Sequence, residues 1–299
     1  MSANSKNAEI ISGVGLRLPH LAEVVATRPR ISWFEVHPEN FLANPHAAEL
    51  LEELSGEYNI SLHSVGISVG SAAGVDAHHL GRVRALAERV HPVFVSGHLA
   101  WSVHRTHRNE YLNDLLPMPY TRESLASVVE QVNRVQDFLG RPFLLENPAS
   151  YVAFRMSTMT EAQFLNELVF RTGCQLLCDV SNVYVSANNL NGNAWAYIDS
   201  LPVEAVRQIH LGGYTPEADA ATPGGRLLID THAGPVAPAA WELYRHAVSR
   251  LGPIPTLMEW DNDIPALATL LAEATHAERL ASAVRSKTAE PEVVYEQAC

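Results

Sequence analysis

The feature that most restricts the fold of this chain is its hydrophobic period, which switches repeatedly between two residues and about 3.6. Apolar, β-prone runs end in turn at Leu18, His37, His63, His98, Glu146, Asp179, His210 and Glu259. Helical spacing follows each of them. Within 76–90, for example, Leu80, Val83, Leu86 and Val90 form one apolar stripe. Helices are expected over 21–27, 45–54, 76–90, 121–139, 160–173 and 241–251, with a short one near Trp195 and a last one over 265–284. Thr121 and Thr160 are natural N-caps, and Gly173 is a natural stop. Strict alternation of strand and helix predicts a parallel sheet, and eight such units predict a closed TIM-like (β/α)8 barrel in a single α/β domain. The barrel is expected over 12–285, between a flexible N-terminus (1–11) and a disordered tail (286–299). Long loops are expected over 102–120, over 188–193 and beyond strand seven. An open doubly wound sheet is the other arrangement this alternation allows.

Six of the strand ends carry a residue that binds metals. They are His63, His98, Glu146, Asp179, His210 and Glu259, and in a parallel barrel the C-terminal ends of the strands form one rim. Loops are polar for many reasons, but a merely polar rim would mix in Ser, Thr, Asn and Lys. Further donors lie close by. Asp230 and His232 are two apart, so an extended backbone would turn both to one side, and Asp261 stands in the same relation to Glu259. Asn182 follows Asp179 by three, and Glu35 and His37 end strand two. So many donors exceed the needs of one ion, which points to two or three clustered metals. No thiolate is among them. Imidazole with carboxylate suits iron, manganese or zinc without choosing between them.

Composition narrows the partners. A formal charge of −12 repels phosphate backbones and argues against nucleic acid. No apolar stretch reaches the length of a membrane span, and the first residues lack the apolar core of a signal peptide. The three cysteines form no C-x-x-C pair, so a reducing, cytoplasmic setting is expected, with Cys174 and Cys178 as core thiols. Of the 14 histidines, His78, His79, His246 and His276 lie on helical stretches and are expected to be structural, several at the surface. Ser68 sits in G-x-S-x-G without an immediate helix, so a nucleophile elbow is disfavoured. Gly13-Val14-Gly15 lacks the third glycine of a dinucleotide loop. The segment 104–107, with histidine at each end, is expected to be solvated.

Several segments carry a resemblance to a known family. They are GVGLRL (13–18), FEVHPENF (34–41), LHSVGISVG (62–70), VSGHLAW (95–101), DLLPMPYT (114–121) and LLENPASY (144–151). TEAQFLNELVFRTGC (160–174), DVSNVYV (179–185), IHLG (209–212), IDTH (229–232) and MEWD (258–261) continue them in order. The chain resembles the multinuclear non-haem iron-dependent oxidases, a family that includes the oxidase of methanobactin biosynthesis. The resemblance implies a TIM-like barrel with two or three irons (Fe2+/Fe3+) and O2 as co-substrate. It implies oxidation of cysteine or other residues in a ribosomally made precursor peptide, delivered by a partner protein. Carried over by position, the ligands are His63, His98, Glu146, Asp179, His210, Asp230, His232 and Glu259, with Asn182 as a weaker addition. Asp261 is the expected catalytic base. The chain departs from the family at Ser181, where Asn is usual, and at Gly212-Gly213-Tyr214, where Ala-Gly-His is often found. On the residues alone, a multi-zinc barrel hydrolase of phosphodiesters and a non-enzymatic metal-binding protein are the alternatives.

Overall fold

A computed structural model describes residues 11–105, 109–219 and 225–288 of the chain. The first ten residues, the tail from 289 and the His107 end of the 104–107 segment lie outside the described residues.

Eight parallel strands close into a barrel. They are β1 (Ser12–Gly15), β2 (Trp33–Val36), β3 (Asn59–Ser64), β4 (Phe94–His98), β7 (Leu144–Glu146), β8 (Gln175–Asp179), β9 (Val206–Gly212) and β12 (Thr256–Glu259). Each pairs with its neighbours in chain order, and β12 closes on β1. The outer ring is α1 (Leu18–Thr27), a short α2 (Glu39–Leu42), α3 (Pro45–Ser55), α4 (Ala77–Val90), α5 (Arg122–Leu139), α6 (Glu161–Thr172), α7 (Val180–Asn189), α8 (Ala194–Ser200), α9 (Pro238–Leu251) and α10 (Leu267–Thr288). This is the expected single-domain barrel. Its main core lies between strands and helices, where Phe34, Leu51, Val83, Phe143, Phe164 and Leu243 are fully enclosed. Thr121 and Thr160 each accept from a backbone N–H in the first turn of α5 and α6, with Ser124 and Gln163 answering to complete capping boxes.

Three stretches differ from expectation. The loop expected over 102–120 is a β-hairpin, β5 (Trp101–Arg105) with β6 (Asn109–Leu116), and the loop beyond β9 holds a second hairpin, β10 (Thr215–Ala218) with β11 (Arg226–Ile229). Neither hairpin joins the barrel, so their strands lack the continuous apolar signature of buried parallel strands. The third is α7, which begins directly after β8. Its β-branched Val180, Val183 and Val185 disguise a helix that Asp179 caps by accepting from Asn182 N–H at 2.7 Å. The first strand also ends earlier than expected, because Pro19 sets the opening turn of α1.

Candidate metal centre

Strand register brings the donors level. Glu146 pairs with His98 across β4 and β7, and Asp179 pairs with His210 across β8 and β9. Glu259 stands opposite Gly212 at the end of β12, while His63 projects from β3 opposite Ser96. The result is a cavity of about 410 Å³ at the C-terminal mouth of the barrel. His37, His63, His98, Glu146, Asn182 and Glu259 line it from the strand side. The β5–β6 hairpin closes one wall with Leu112, Asp114 and Leu115. Asp179 and His210 lie beneath these residues, fully buried.

The donor atoms form four overlapping groups, each with all its atoms within 4.8 Å of one another. These are His37–His63–Glu259, His63–His98–Glu146, Glu146–Asp179–His210–Glu259 and His232–Glu259–Asp261. Glu146 Oε2 lies 3.1 Å from His63 Nε2 and 3.4 Å from His98 Nε2. His232 Nε2 faces Asp230 Oδ1 at 2.8 Å. Yet Glu146 Oε2, Asp179 Oδ2, Asn182 Oδ1, Asp230 Oδ1, His232 Nε2 and His37 Nε2 are buried without a hydrogen bond among the described residues. Polar atoms this enclosed are normally paired. Some of them face one another without a hydrogen bond, as His232 Nε2 does Asp230 Oδ1, and a cation shared between such donors would satisfy them.

Asp230 and His232 meet by a route other than the one expected. β11 ends at Ile229, and His232 sits in the left-handed region at φ 45°, its N–H donating to Gly213 O at 2.8 Å. Local backbone strain, not strand alternation, turns His232 towards Asp230. The Gly212–Gly213 pair makes this fit possible. A Cβ on Gly212 would overlap the His232 ring, and one on Gly213 would overlap the carbonyl of Gly234. The alanine often found at 212 in the family is therefore sterically linked to where His232 lies. Tyr214 stacks on Tyr184 at 5.5 Å and does not line the cavity. Ser181, the other departure, both donates to Gly212 O and accepts from Gly212 N–H, tying the start of α7 to β9.

Burial and charge compete at every group here. Burial pushes His98 down to about 4. It raises Asp179, and neighbouring Glu146 raises it further. At Glu259 burial opposes ionisation, but His210 and His232 outweigh it and hold the carboxyl well below its ordinary range. Burial likewise disfavours protonated His63, which Glu146 reverses, raising the imidazole. Carboxylates outnumber permanent cations. Among the described residues Arg17 is the one guanidinium that reaches them, donating from Nε to Asp261 at 2.7 Å and from Nη2 to Glu259 at 3.3 Å. Such a concentration of buried negative charge attracts cations.

Arg17 was not expected at the site, and Glu35 and His37 were expected only as further donors near the rim, outside the ligand set carried over by position. His37 carried the same signal as the others, a histidine at a strand end. Glu35 supports the site from below: its Oε1 lies 2.9 Å from His210 Nε2, and its Oε2 accepts from Ser61 at 2.7 Å and Gln208 at 2.6 Å. The His210 Nδ1 lies 2.9 Å from Glu259 Oε2, so each ring nitrogen faces a carboxylate. Asp261 is exposed enough to line the cavity, but Arg17 holds it ionised despite burial and the nearby Glu259 charge. His79 is buried in α4 with Nε2 3.0 Å from Glu39, so it belongs to the interior and not to the helix surface. The Ser68 hydroxyl accepts from the N–H groups of Ser102 and Val103 and anchors the β5–β6 hairpin, with no imidazole or carboxylate bonded to it among the described residues.

A sequence profile described as "RiPP precursor modification enzyme MbnB/TglH/ChrH" matches residues 11–282, where RiPP denotes a ribosomally made, post-translationally modified peptide. A UPF0276 protein of Vibrio parahaemolyticus is 46% identical over 274 residues, covering 91% of this chain and 93% of that one. A UPF0276 protein of Rhizobium meliloti is 45% identical over 274 residues, covering 90% and 86%. Among solved structures, a D-tagatose 3-epimerase-like protein is similar at TM-score 0.60 and 15% identity, covering 94% of this chain and 100% of that one. Endonuclease IV from Thermus thermophilus is similar at TM-score 0.53 and 16% identity, covering 93% and 99%. At such identities these structures show the barrel fold and nothing about chemistry. With its fold, its rim and this match over most of its length, the chain belongs to the MbnB/TglH/ChrH family of RiPP precursor modification enzymes.

Proposed function

We propose that this chain is an iron- and O2-dependent oxidase that modifies residues, cysteine foremost, of a ribosomally made precursor peptide in the cytoplasm. The observation that carries the reading is the cluster of unpaired, buried donor atoms at the strand ends of a chain from a peptide-modifying family. His63, His98 and Glu146 would hold one ion. Glu146, Asp179 and His210, with Asn182 beside them, would hold a second, and Asp230, His232 and Glu259 a third. Two or three irons satisfy this set, with Glu146 and Glu259 as the shared carboxylates. When bound, the ions would anchor a substrate thiolate and supply the redox equivalents for oxygen chemistry.

The protein's own groups set the conditions. Burial keeps His98 neutral and ready to donate its lone pair. Glu35 and Gln208 enclose His210 Nε2, which leaves Nδ1 as the nitrogen to turn towards a metal in place of Glu259. Outer carboxylates of this kind fix the ring and raise its basicity. Asp261 is the proposed base. Arg17 orients it, and its low proton affinity limits it to a proton already acidified by metal contact. A separate delivery protein is proposed to present the peptide.

The test is co-expression with a cysteine-bearing precursor peptide encoded beside the chain, read by the peptide's mass, oxygen uptake and iron content. A changed peptide mass, peptide-dependent oxygen uptake and bound iron are expected, and His98→Ala should abolish all turnover. Full turnover in His98→Ala would sink the ligand assignment. A colourless zinc protein without oxygen uptake would instead favour the hydrolase.

A further inference from the structure

A second cavity adjoins the metal centre and is built from different material. The loop 147–159 separates them. Pro148, Ala149 and Tyr151 face the metal side, while Ser150, Val152 and Phe154 face the other. Tyr151 is also pinned across the rim, its hydroxyl accepting from Asp230 N–H at 3.0 Å. The second cavity encloses about 340 Å³, within the range of small-ligand sites. Met118, Met159, Val183 and Leu190 supply much of its wall. Val152 is 53% exposed and Phe154 37% exposed on the same loop, so apolar side chains of the cavity lining also face solvent.

The polar content of this cavity is closed on itself. Glu161 lies against it with Oε2 accepting from Tyr120 at 2.5 Å and Oε1 accepting from Tyr197 at 2.6 Å. No lysine, arginine or histidine lines the space among the described residues. An acidic side chain entering it would meet Glu161 with no counter-charge, and a basic one would lose its water to a carboxyl already engaged by two phenols. A neutral apolar group meets neither cost.

We propose that this cavity holds a neutral, apolar side chain of the precursor peptide, a few residues from the residue presented to the metals. The inference rests on the peptide-modifying reading above. An extended peptide crossing Tyr151 advances about 3.3 Å per residue. One segment can therefore place one side chain over the metals and a nearby one in the apolar cavity. The cavity then selects the sequence around the modified residue, leaving the chemistry to the rim.

The experiment titrates the protein with N-acetyl-leucinamide, N-acetyl-phenylalaninamide and N-acetyl-aspartamide, followed by saturation-transfer NMR. The two apolar amides should bind at least tenfold more tightly than the aspartyl one. The double variant Val152→Asp/Phe154→Asp should weaken them at least tenfold, and Ala187→Trp, which fills the cavity from α7, should remove binding. Metal content and circular dichroism of the loop variant should match the wild type, because Val152 and Phe154 reach the surface and lie outside the hydrophobic core. Equal binding of all three amides, or unchanged binding in the loop variant, would overturn the proposal. Failure of the peptide-modifying reading is a separate result: the apolar amides would bind and no precursor would change mass. If only the cavity assignment fails, the loop variant modifies the precursor as well as the wild type does.

Discussion

Glu35 and Glu146 are both buried inside the barrel, yet they are satisfied in opposite ways. Glu35 stands level with Ser61, two residues below His63 on the adjoining strand, and its two oxygens are met by Ser61, Gln208 and His210. Glu146 stands at the rim, and its Oε2 has no hydrogen bond although two imidazoles approach it. The His210 imidazolium outweighs burial and holds Glu35 at about 2, so this carboxylate is stabilised by the protein itself. The difference separates a polar layer whose hydrogen bonds are closed within the protein from one that could take a cation. Both are costly to bury and both are held ionised by imidazoles, but only the lower one has both oxygens met.

Substitution at these two positions gives the largest expected effect and the sharpest break of the contrast. Glu146→Ala should reduce bound metal and cut turnover by at least about 100-fold, more than the loss of an outer-shell partner. Glu35→Ala should cost about 3–5 kcal/mol in chemical denaturation, because it strands the buried groups that now meet it. Glu146→Gln should cost the metal-free protein less than that, since His98 and His63 hold the Glu146 carboxylate ionised against burial but only one of its oxygens accepts a hydrogen bond. If Glu146→Gln destabilised the metal-free protein to the same degree, the distinction between the layers would collapse.

Metal removal should produce the next effect. Ions that bind only the folded chain stabilise it by about 2.7 kcal/mol at a hundredfold excess over Kd. Chelation should therefore lower the melting temperature of wild type and shift Glu146→Ala less, since that variant keeps only the ion assigned to Asp230, His232 and Glu259. Gly212→Ala comes third. Its new methyl group would push the His232 ring, at about 1–3 kcal/mol of overpacking. Metal analysis should show the loss of the ion assigned to Asp230, His232 and Glu259, with the others kept; full metal content would mean that the ring yields at no cost to binding.

The smallest effect concerns Glu161, a buried carboxyl away from the rim. Burial raises it above the ordinary carboxylate range despite its two phenol donors. The folded state thus holds the proton to higher pH than the unfolded chain. Its stabilising contribution is complete below the unfolded pKa and is lost as the pH rises through the folded one. Glu161→Gln should flatten that decline, raising the melting temperature by roughly 1–3 °C at the upper end of the window. An unchanged slope would place the proton elsewhere.

Much of this was legible before the structure. The alternating period announced the barrel, and His63, His98, Glu146, Asp179, His210 and Glu259 announced a rim because each ends an apolar run. Asp230 and His232 were legible as a pair, although the reason offered for their meeting was the wrong one. Arg17 was not legible: it lies 242 residues from Glu259 in sequence, and nothing local marks it as a partner. Nor were the two hairpins, whose exposed strands lack a two-sided apolar run, or α7, whose valines mask a capped helix. The fit of Gly212 against His232 is a contact between two loops that no spacing rule describes.

By itself, then, the sequence determined which elements form and which donors stand at their ends, because period and capping are local properties carried by adjacent residues. No helix of the described residues is long and apolar enough to cross a membrane, which is equally a local property. Only the tertiary structure decided which donor atoms are left unpaired, that Arg17 holds Asp261 and Glu259 while Glu35 holds His210, and that an apolar cavity lies one loop away from the rim. Those depend on barrel closure, where β12 meets β1 and residues distant along the chain come within a few ångströms. Burial in that closed interior makes an unpaired oxygen expensive, and so turns a row of strand ends into a candidate metal centre.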